Sequence, residues 1–183
     1  IAFLIVSHQD PDVGASFVDW LNFNSEITII TSIRTNVLLP HYGKDGYKFY
    51  DIAKSNEFIF KSGRVLEFIE SPFLHFAGAF TTLDKTSNFL FSGDIWAALD
   101  IDWKLVVDEN DFILHETYMD LFHIDYMASN IAARGFVRRL DDKIINAILP
   151  QHGSLIDKNN VENALEYLTN LQCGTDIIYS DLE

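Results

Sequence analysis

The chain has 183 residues, 48% of them hydrophobic and 14% aromatic, which is enough for one domain with a real core and too few for two. Its formal charge of −14, from 13 basic and 27 acidic residues, argues against a nucleic-acid backbone or an anionic membrane surface as partner. No apolar run approaches the roughly 20 residues a bilayer span requires, and the lone Cys173 excludes an internal disulfide, a zinc ribbon and a CxxC redox motif. A single domain over residues 1–183 in a cytoplasmic setting is expected, with Cys173 as a packing residue. No signal peptide is visible, and a start without Met inside an apparent strand leads us to expect an N-terminally incomplete domain.

The apolar run Ile1–Val6 reads as a buried strand and leads into Ser7-His8-Gln9-Asp10-Pro11-Asp12. His8, Asp10 and Asp12 alternate along this turn, so in extended backbone they point the same way and converge on one small volume. Pro11 stiffens the turn. One imidazole and two carboxylates suit iron, manganese or zinc, although two aspartates and a proline after a strand also serve as a plain helix cap. A helix is expected over Val13–Phe23 and a second buried strand over Glu26–Thr31. Ser32 should cap a short helix that Pro40 stops, with His41 in an exposed loop. Strand patterns follow at Phe49–Ile52, Phe58–Phe60 and Val65–Glu70.

His75 lies in a loop of small and apolar residues at the end of the last of these strands. Taken alone, such a histidine is ordinarily a satisfied core residue. Thr81–Leu83 and Phe89–Phe91 form a hairpin whose second strand runs into Ser92-Gly93-Asp94, again an apolar strand delivering a carboxylate at its exit. An amphipathic helical region is expected from Asp111 to about Asp141, interrupted at Gly135, with His115 and His123 on its surface. Its apolar stripe reads either as a partner or homodimer surface or as a core-facing stripe, and its spacing favours the core. Trp96 and Trp103, close after Asp94, either wall the site or pack the loop. A last strand, Ile144–Leu149, ends in Gln151-His152, and a helix near Lys158–Leu171 follows.

One arrangement therefore recurs four times: an apolar strand ending in a potential ligand, at His8/Asp10/Asp12, His75, Asp94 and His152. Three imidazoles and three carboxylates exceed the needs of one tetrahedral ion and suit two ions, about 3.5–4 Å apart across a shared carboxylate.

His-x-Asp-x-Asp, then His after 67 positions, Asp after a further 19 in Phe-Ser-Gly-Asp and His after a further 58 in Gln-His-Gly resemble the metallo-β-lactamase superfamily. Order and spacing are most similar to its diiron branch, the flavodiiron proteins and their single-domain oxygen-binding relatives. The resemblance spans nearly the whole chain. It implies an α/β (α+β) fold, a four-layer αββα sandwich of mixed sheets packed face to face, here apparently lacking N-terminal strands. It further implies that His8, Asp10 and His75 hold one iron, that Asp12 and His152 hold the second, and that Asp94 bridges them. Two departures stand out: Asp10 occurs where the flavodiiron pattern has Glu, and Val13 where a histidine usually follows. The second leaves one ion short of a nitrogen, with an open or water-filled position. The oxygen-rich donor set favours iron or manganese over zinc.

The resemblance implies a non-haem diiron protein that binds dioxygen reversibly, an oxygen sensor linked to chemotaxis signalling through a protein partner, rather than an enzyme. No flavin is expected, because nothing in the sequence resembles a flavodoxin. Two alternatives stand beside this reading: an O2/NO reductase fed by an external electron donor, and a binuclear hydrolase of the phosphodiesterase or thioesterase type. The hydrolase would need a substrate clamp, and the nearest cations to the ligand loops, Arg34 and Lys85, read as surface charge.

Overall fold

The computed structural model describes residues 1–100, 104–107 and 111–182, so the expectation for Trp103 lies outside the described residues. In chain order the elements are β1 (Phe3–Ile5), α1 (Pro11–Gly14), α2 (Phe17–Phe23), β2 (Thr28–Thr31), α3 (Ile33–Asn36), a 3-10 turn (Leu39–Tyr42) and β3 (Lys48–Asp51). Then come β4 (Glu57–Ile59), β5 (Val65–Glu70), β6 (Phe80–Asp84), β7 (Phe89–Gly93), α4 (Phe112–Tyr126) and α5 (Asn130–Arg138). Completing the chain are β8 (Ala147–Pro150), β9 (Ile156–Asp157), a 3-10 turn (Lys158–Asn160), α6 (Val161–Asn170) and α7 (Thr175–Ile178).

The strands form two sheets, a three-stranded one in the order β1-β2-β3 and a six-stranded one in the order β4-β5-β6-β7-β8-β9. Both pairings of the small sheet are parallel, whereas mixed sheets were expected on both sides. The large sheet is antiparallel except where β8 runs parallel to β7.

Alternation along the strands sorts apolar side chains into three packed zones. Ile30, Ile52, Leu66, Phe68 and Phe80 interlock the facing sheets. One residue away on β2, Ile29 points outward to join Phe17, Leu21 and Leu39 under the first helices. On the far side Leu83, Leu90 and Ile148 meet Met119, Phe136 and Leu168 of the later helices. The result is the expected αββα sandwich, each buried Phe, Leu or Ile contributing about 1.5–3 kcal/mol of transfer free energy.

Several local expectations are corrected. The helix expected over Val13–Phe23 is two helices that part after Gly14, where an added Cβ would lie 3.3 Å from Leu39 Cδ2. Ser32 caps α3 by accepting from the Thr35 N–H at 3.2 Å, but α3 ends at Asn36, and Pro40 sits in the first turn of the next 3-10 segment rather than stopping a helix. The long helical region breaks at Met127–Ser129, not at Gly135, which lies inside α5. Tertiary bonds take that backbone out of helical pairing. The Ala128 N–H donates to Phe73 O at 3.2 Å, and Ala128 O accepts from the Thr175 N–H at 2.9 Å. Ser129 then caps α5 through the Ala132 N–H. The last long strand begins at Ala147 rather than Ile144, whose side chain is exposed.

Candidate metal centre

Three of the six predicted ligands, His8, Asp10 and Asp12, follow β1 of the small sheet. The other three leave the large sheet, His75 after β5, Asp94 after β7 and His152 after β8. The ligand loops are bonded to one another. Ser7 O accepts from the Phe80 N–H at 3.2 Å and Gly93 O from the Gln151 N–H at 2.8 Å. Ser32 Oγ, besides capping α3, donates to Gly78 O at 2.7 Å and so ties the His75 loop to the small-sheet half. Gly93 has φ +61°, and a Cβ there would meet Ser7 Oγ at 3.2 Å, so the β7 exit approaches the His8 turn closely because it carries no side chain.

All six residues come together. His8 Nε2 and His75 Nε2 lie 3.0 and 3.2 Å from the same Asp94 oxygen, Oδ2. Asp10 Oδ2 is 3.3 Å from His75 Nε2 and 3.8 Å from His8 Nε2. Ligand atoms of His8, Asp10, His75 and Asp94 all fall within 4.8 Å of one another. On the other side His152 Nε2 is 2.9 Å from Asp12 Oδ2 and 3.9 Å from the second Asp94 oxygen, Oδ1. Asp94 thus turns one oxygen to each group. Its Oδ1 is buried without any hydrogen-bond partner, an orphan that costs free energy unless a cation or water completes it. The donor set and this orphaned oxygen fit a pair of ions about the carboxylate of Asp94.

The two ends differ. At the inner one the His8 side chain is 3% exposed and that of Asp94 5%, whereas His152 is 43% exposed. Phe76, Phe122 and Tyr126 stand around His75, at ring-centroid distances of 4.2, 5.3 and 6.0 Å. Phe76 also stacks on His8 at 5.9 Å. The outer end borders a cleft of about 820 Å³ whose walls include Ile5, Val13, Leu66, Phe91 and Leu149. Val13 therefore brings only methyl groups to this side.

Burial pushes the Asp10 carboxyl up, against the pull of His75 and His8. Burial also opposes charge on Asp94, but hydrogen bonds from His75 and His8 outweigh it and hold that carboxyl well below the usual range. With Nε2 of His8 aimed at the centre, its Nδ1 shares a hydrogen bond with Ser7 Oγ at 3.0 Å, the kind of outer contact that fixes a ligating imidazole. Tyr42 donates to Gln9 O at 2.5 Å and pins the turn between His8 and Asp10.

His115 and His123 are not the surface residues expected: both are buried, His123 completely. Burial pushes the His123 imidazole down to about 4. Trp96 is wholly buried and its indole donates to Ala164 O at 2.8 Å, so it packs the core under α6. Its φ of +65° is a left-handed conformation that costs a side-chain-bearing residue about 1–2 kcal/mol. His41 and Arg34 are exposed as expected, and Lys85 pairs with Glu57 at 2.8 Å. The roles of Ser7, Tyr42, Phe76, Phe122 and Gln151, whose side-chain amide donates to Asp12 Oδ2 at 3.1 Å, escaped sequence reasoning, which sees a hydroxyl, an amide or an aromatic ring but not its direction.

Comparison with known proteins agrees with this fold. A peroxy diiron species of the chemotaxis sensor ODP superposes with a TM-score of 0.88 at 34% identity, covering 98% of this chain and 75% of that one. The apo state of chemotaxis sensor ODP from T. denticola gives 0.86 at 33% identity, covering 98% and 73%. Among curated sequences, diflavin flavoprotein A 1 of Synechocystis sp. (strain ATCC 27184 / PCC 6803 / Kazusa) is 26% identical over 167 residues, 87% of this chain and 28% of the relative. The chain thus spans between 17% and 28% of the length of the curated relatives it matches. The family model described as ODP family beta lactamase matches residues 1–153, most of the chain, and the protein belongs to that family, with its metallo-β-lactamase-like fold.

Proposed function

We propose that His8, Asp10 and His75 hold one iron, that Asp12 and His152 hold a second, and that Asp94 spans the two. On this reading the protein binds dioxygen reversibly and acts as an oxygen sensor for a chemotaxis signalling partner in the cytoplasm. The observation that carries it is the division of Asp94: Oδ2 faces two imidazoles at 3.0 and 3.2 Å, while the partnerless Oδ1 faces His152 at 3.9 Å. Similarity to the chemotaxis sensor ODP over 98% of the chain supports the sensing role. Among the described residues no helix is long and apolar enough to cross a membrane.

An iron pair held by these residues would supply the electrons that reversible dioxygen binding draws on. The protein's own residues shape where that happens. The side chains of His8, Asp94 and His75 are at most 7% exposed and that of Asp10 is 27% exposed, so the inner position is sheltered from solvent, whereas His152 is half-exposed beside a mainly apolar cleft that Asp12, Arg64 and Gln151 also line. Val13 offers no donor on that side.

The test is anaerobic purification with metal analysis, followed by exposure to air and then vacuum. Two irons per chain and a coloured adduct that bleaches under vacuum are expected. Two zinc ions with phosphodiester turnover would overturn the reading, as would oxidation by air that vacuum does not reverse.

A further inference from the structure

We infer that His123 is a positioning residue for the metal centre: its Nε2 accepts the Trp96 backbone N–H and so sets the turn that carries the shared carboxylate of Asp94. The inference rests on the two-ion reading above.

Asp94 leaves β7 in a tight turn. Within it Ser92 O accepts from the Ile95 N–H at 3.3 Å, Asp94 O from the Ala97 N–H at 3.0 Å, and Ser92 Oγ donates to Ile95 O at 2.8 Å. The turn closes through Trp96, whose φ of +65° a side-chain-bearing residue adopts only where its surroundings enforce it. With Trp96 wholly buried, its backbone N–H needs an acceptor in the protein. His123 Nε2, 2.9 Å away, is that acceptor.

A backbone N–H only donates, so Nε2 carries no proton and Nδ1 does. The Nδ1–H donates to Met119 O, one turn back along α4, at 2.8 Å. Both ring nitrogens are therefore committed, and the ring is locked between the helix and the turn. Among the described residues no other hydrogen bond reaches Ser92–Ala97 from α4, the next being that of the Leu99 N–H to Tyr118 O at 3.1 Å, three residues beyond Trp96, and the Trp96 indole is held separately by Ala164 of α6. Deleting the acceptor leaves a buried N–H without a partner and frees a strained residue two positions from Asp94. The outer ion depends on Asp94 Oδ1 together with only Asp12 and His152, so it should respond first.

The test compares the wild type, His123→Leu and His123→Gln by titrating the metal-free chain with Co(II) as a spectroscopic stand-in, reading both binding steps and the magnetic coupling by EPR. Near-UV circular dichroism reports the fold. In His123→Leu the second step should weaken at least about 10-fold and the coupling should fall, as found where outer contacts of ligands are removed. His123→Gln, whose amide can both accept and donate, should recover most of the loss. If His123→Leu binds both ions like the wild type, the inference is overturned. Equal loss in both variants, of fold or of both ions, also overturns it, because ring packing and not the acceptor atom would then be responsible. A wild-type chain that binds fewer than two ions overturns the two-ion reading itself.

Discussion

Replacing Gly93 by alanine tests how closely the two ligand turns must approach. The substitution places a Cβ 3.2 Å from Ser7 Oγ, 3.6 Å from Ser7 Cβ and 3.7 Å from His8 Nδ1, at a φ of +61°. Left-handed backbone costs a residue with a Cβ about 1–2 kcal/mol. Moving the Ser7 hydroxyl aside forfeits its 3.0 Å hydrogen bond with His8 Nδ1, worth about 0.5–1.5 kcal/mol. A smaller gain of about 0.4–1 kcal/mol comes from the stiffer unfolded chain. The net expectation is destabilisation of about 2 kcal/mol, readable as a lower urea midpoint of the metal-free chain. For a domain of this size it corresponds to a fall in Tm of roughly 4–8 °C. Metal affinity should drop about 10–100-fold as the His8 ring loses its outer support. The Ser7→Ala/Gly93→Ala double variant removes the crowding oxygen and leaves ordinary contacts, so its loss should undercut the sum of the single losses by about 1 kcal/mol. Strict additivity, or a Gly93→Ala chain within about 0.5 kcal/mol of the wild type, would refute the reasoning.

Asp12→Ala and His152→Ala should each remove the outer ion and retain the inner one, measured as metal per chain after anaerobic loading, whereas His75→Ala should impair the inner position. Asp84 is wholly buried, and the Arg64 guanidinium, with Ser87 and the Thr86 N–H, holds its carboxyl well below the usual carboxylate range although burial opposes this. A depressed folded pKa gives stability that is present above the unfolded value and is lost as pH falls through the folded one. Asp84→Asn should therefore cost about 1–3 kcal/mol at pH 7, a gap that narrows as urea midpoints are followed below about pH 4. Cys173 is fully buried, and burial, aided by Asp176, pushes its thiol up to about 11. A thiol reagent should modify it at neutral pH only at the rate of unfolding, which mass analysis with and without denaturant will show.

The six proposed ligands could be found in the sequence because each follows a strand rich in apolar residues, although Phe3, Phe89 and Phe91 on those strands are exposed, and parallel or face-to-face sheets gather strand ends at one rim. The direction of each donor atom could not. Nothing in Phe-Ser-Gly-Asp reveals that Asp94 turns one oxygen each way, since that depends on the φ of Gly93 and on the Trp96 turn. His123 was misplaced for a related reason. An eight-residue spacing from His115 describes positions on a helix surface, but its partner is a backbone N–H in another segment, 27 residues away. Likewise the break between α4 and α5 follows bonds from Ala128 to Phe73 and Thr175, so the more obvious helix breaker, Gly135, remains inside a helix.

The proposed ligands divide evenly between the two sheets, with His8, Asp10 and Asp12 on one and His75, Asp94 and His152 on the other. Cations seated among them would clamp the sandwich across its seam, as a hasp closes two leaves. Chelation should then loosen the molecule along that plane first, with amide protons at the ends of β1 and β7 exchanging sooner while the centre of β6 stays protected. On the proposed reading, occupancy of the centre would set how firmly the two leaves are joined.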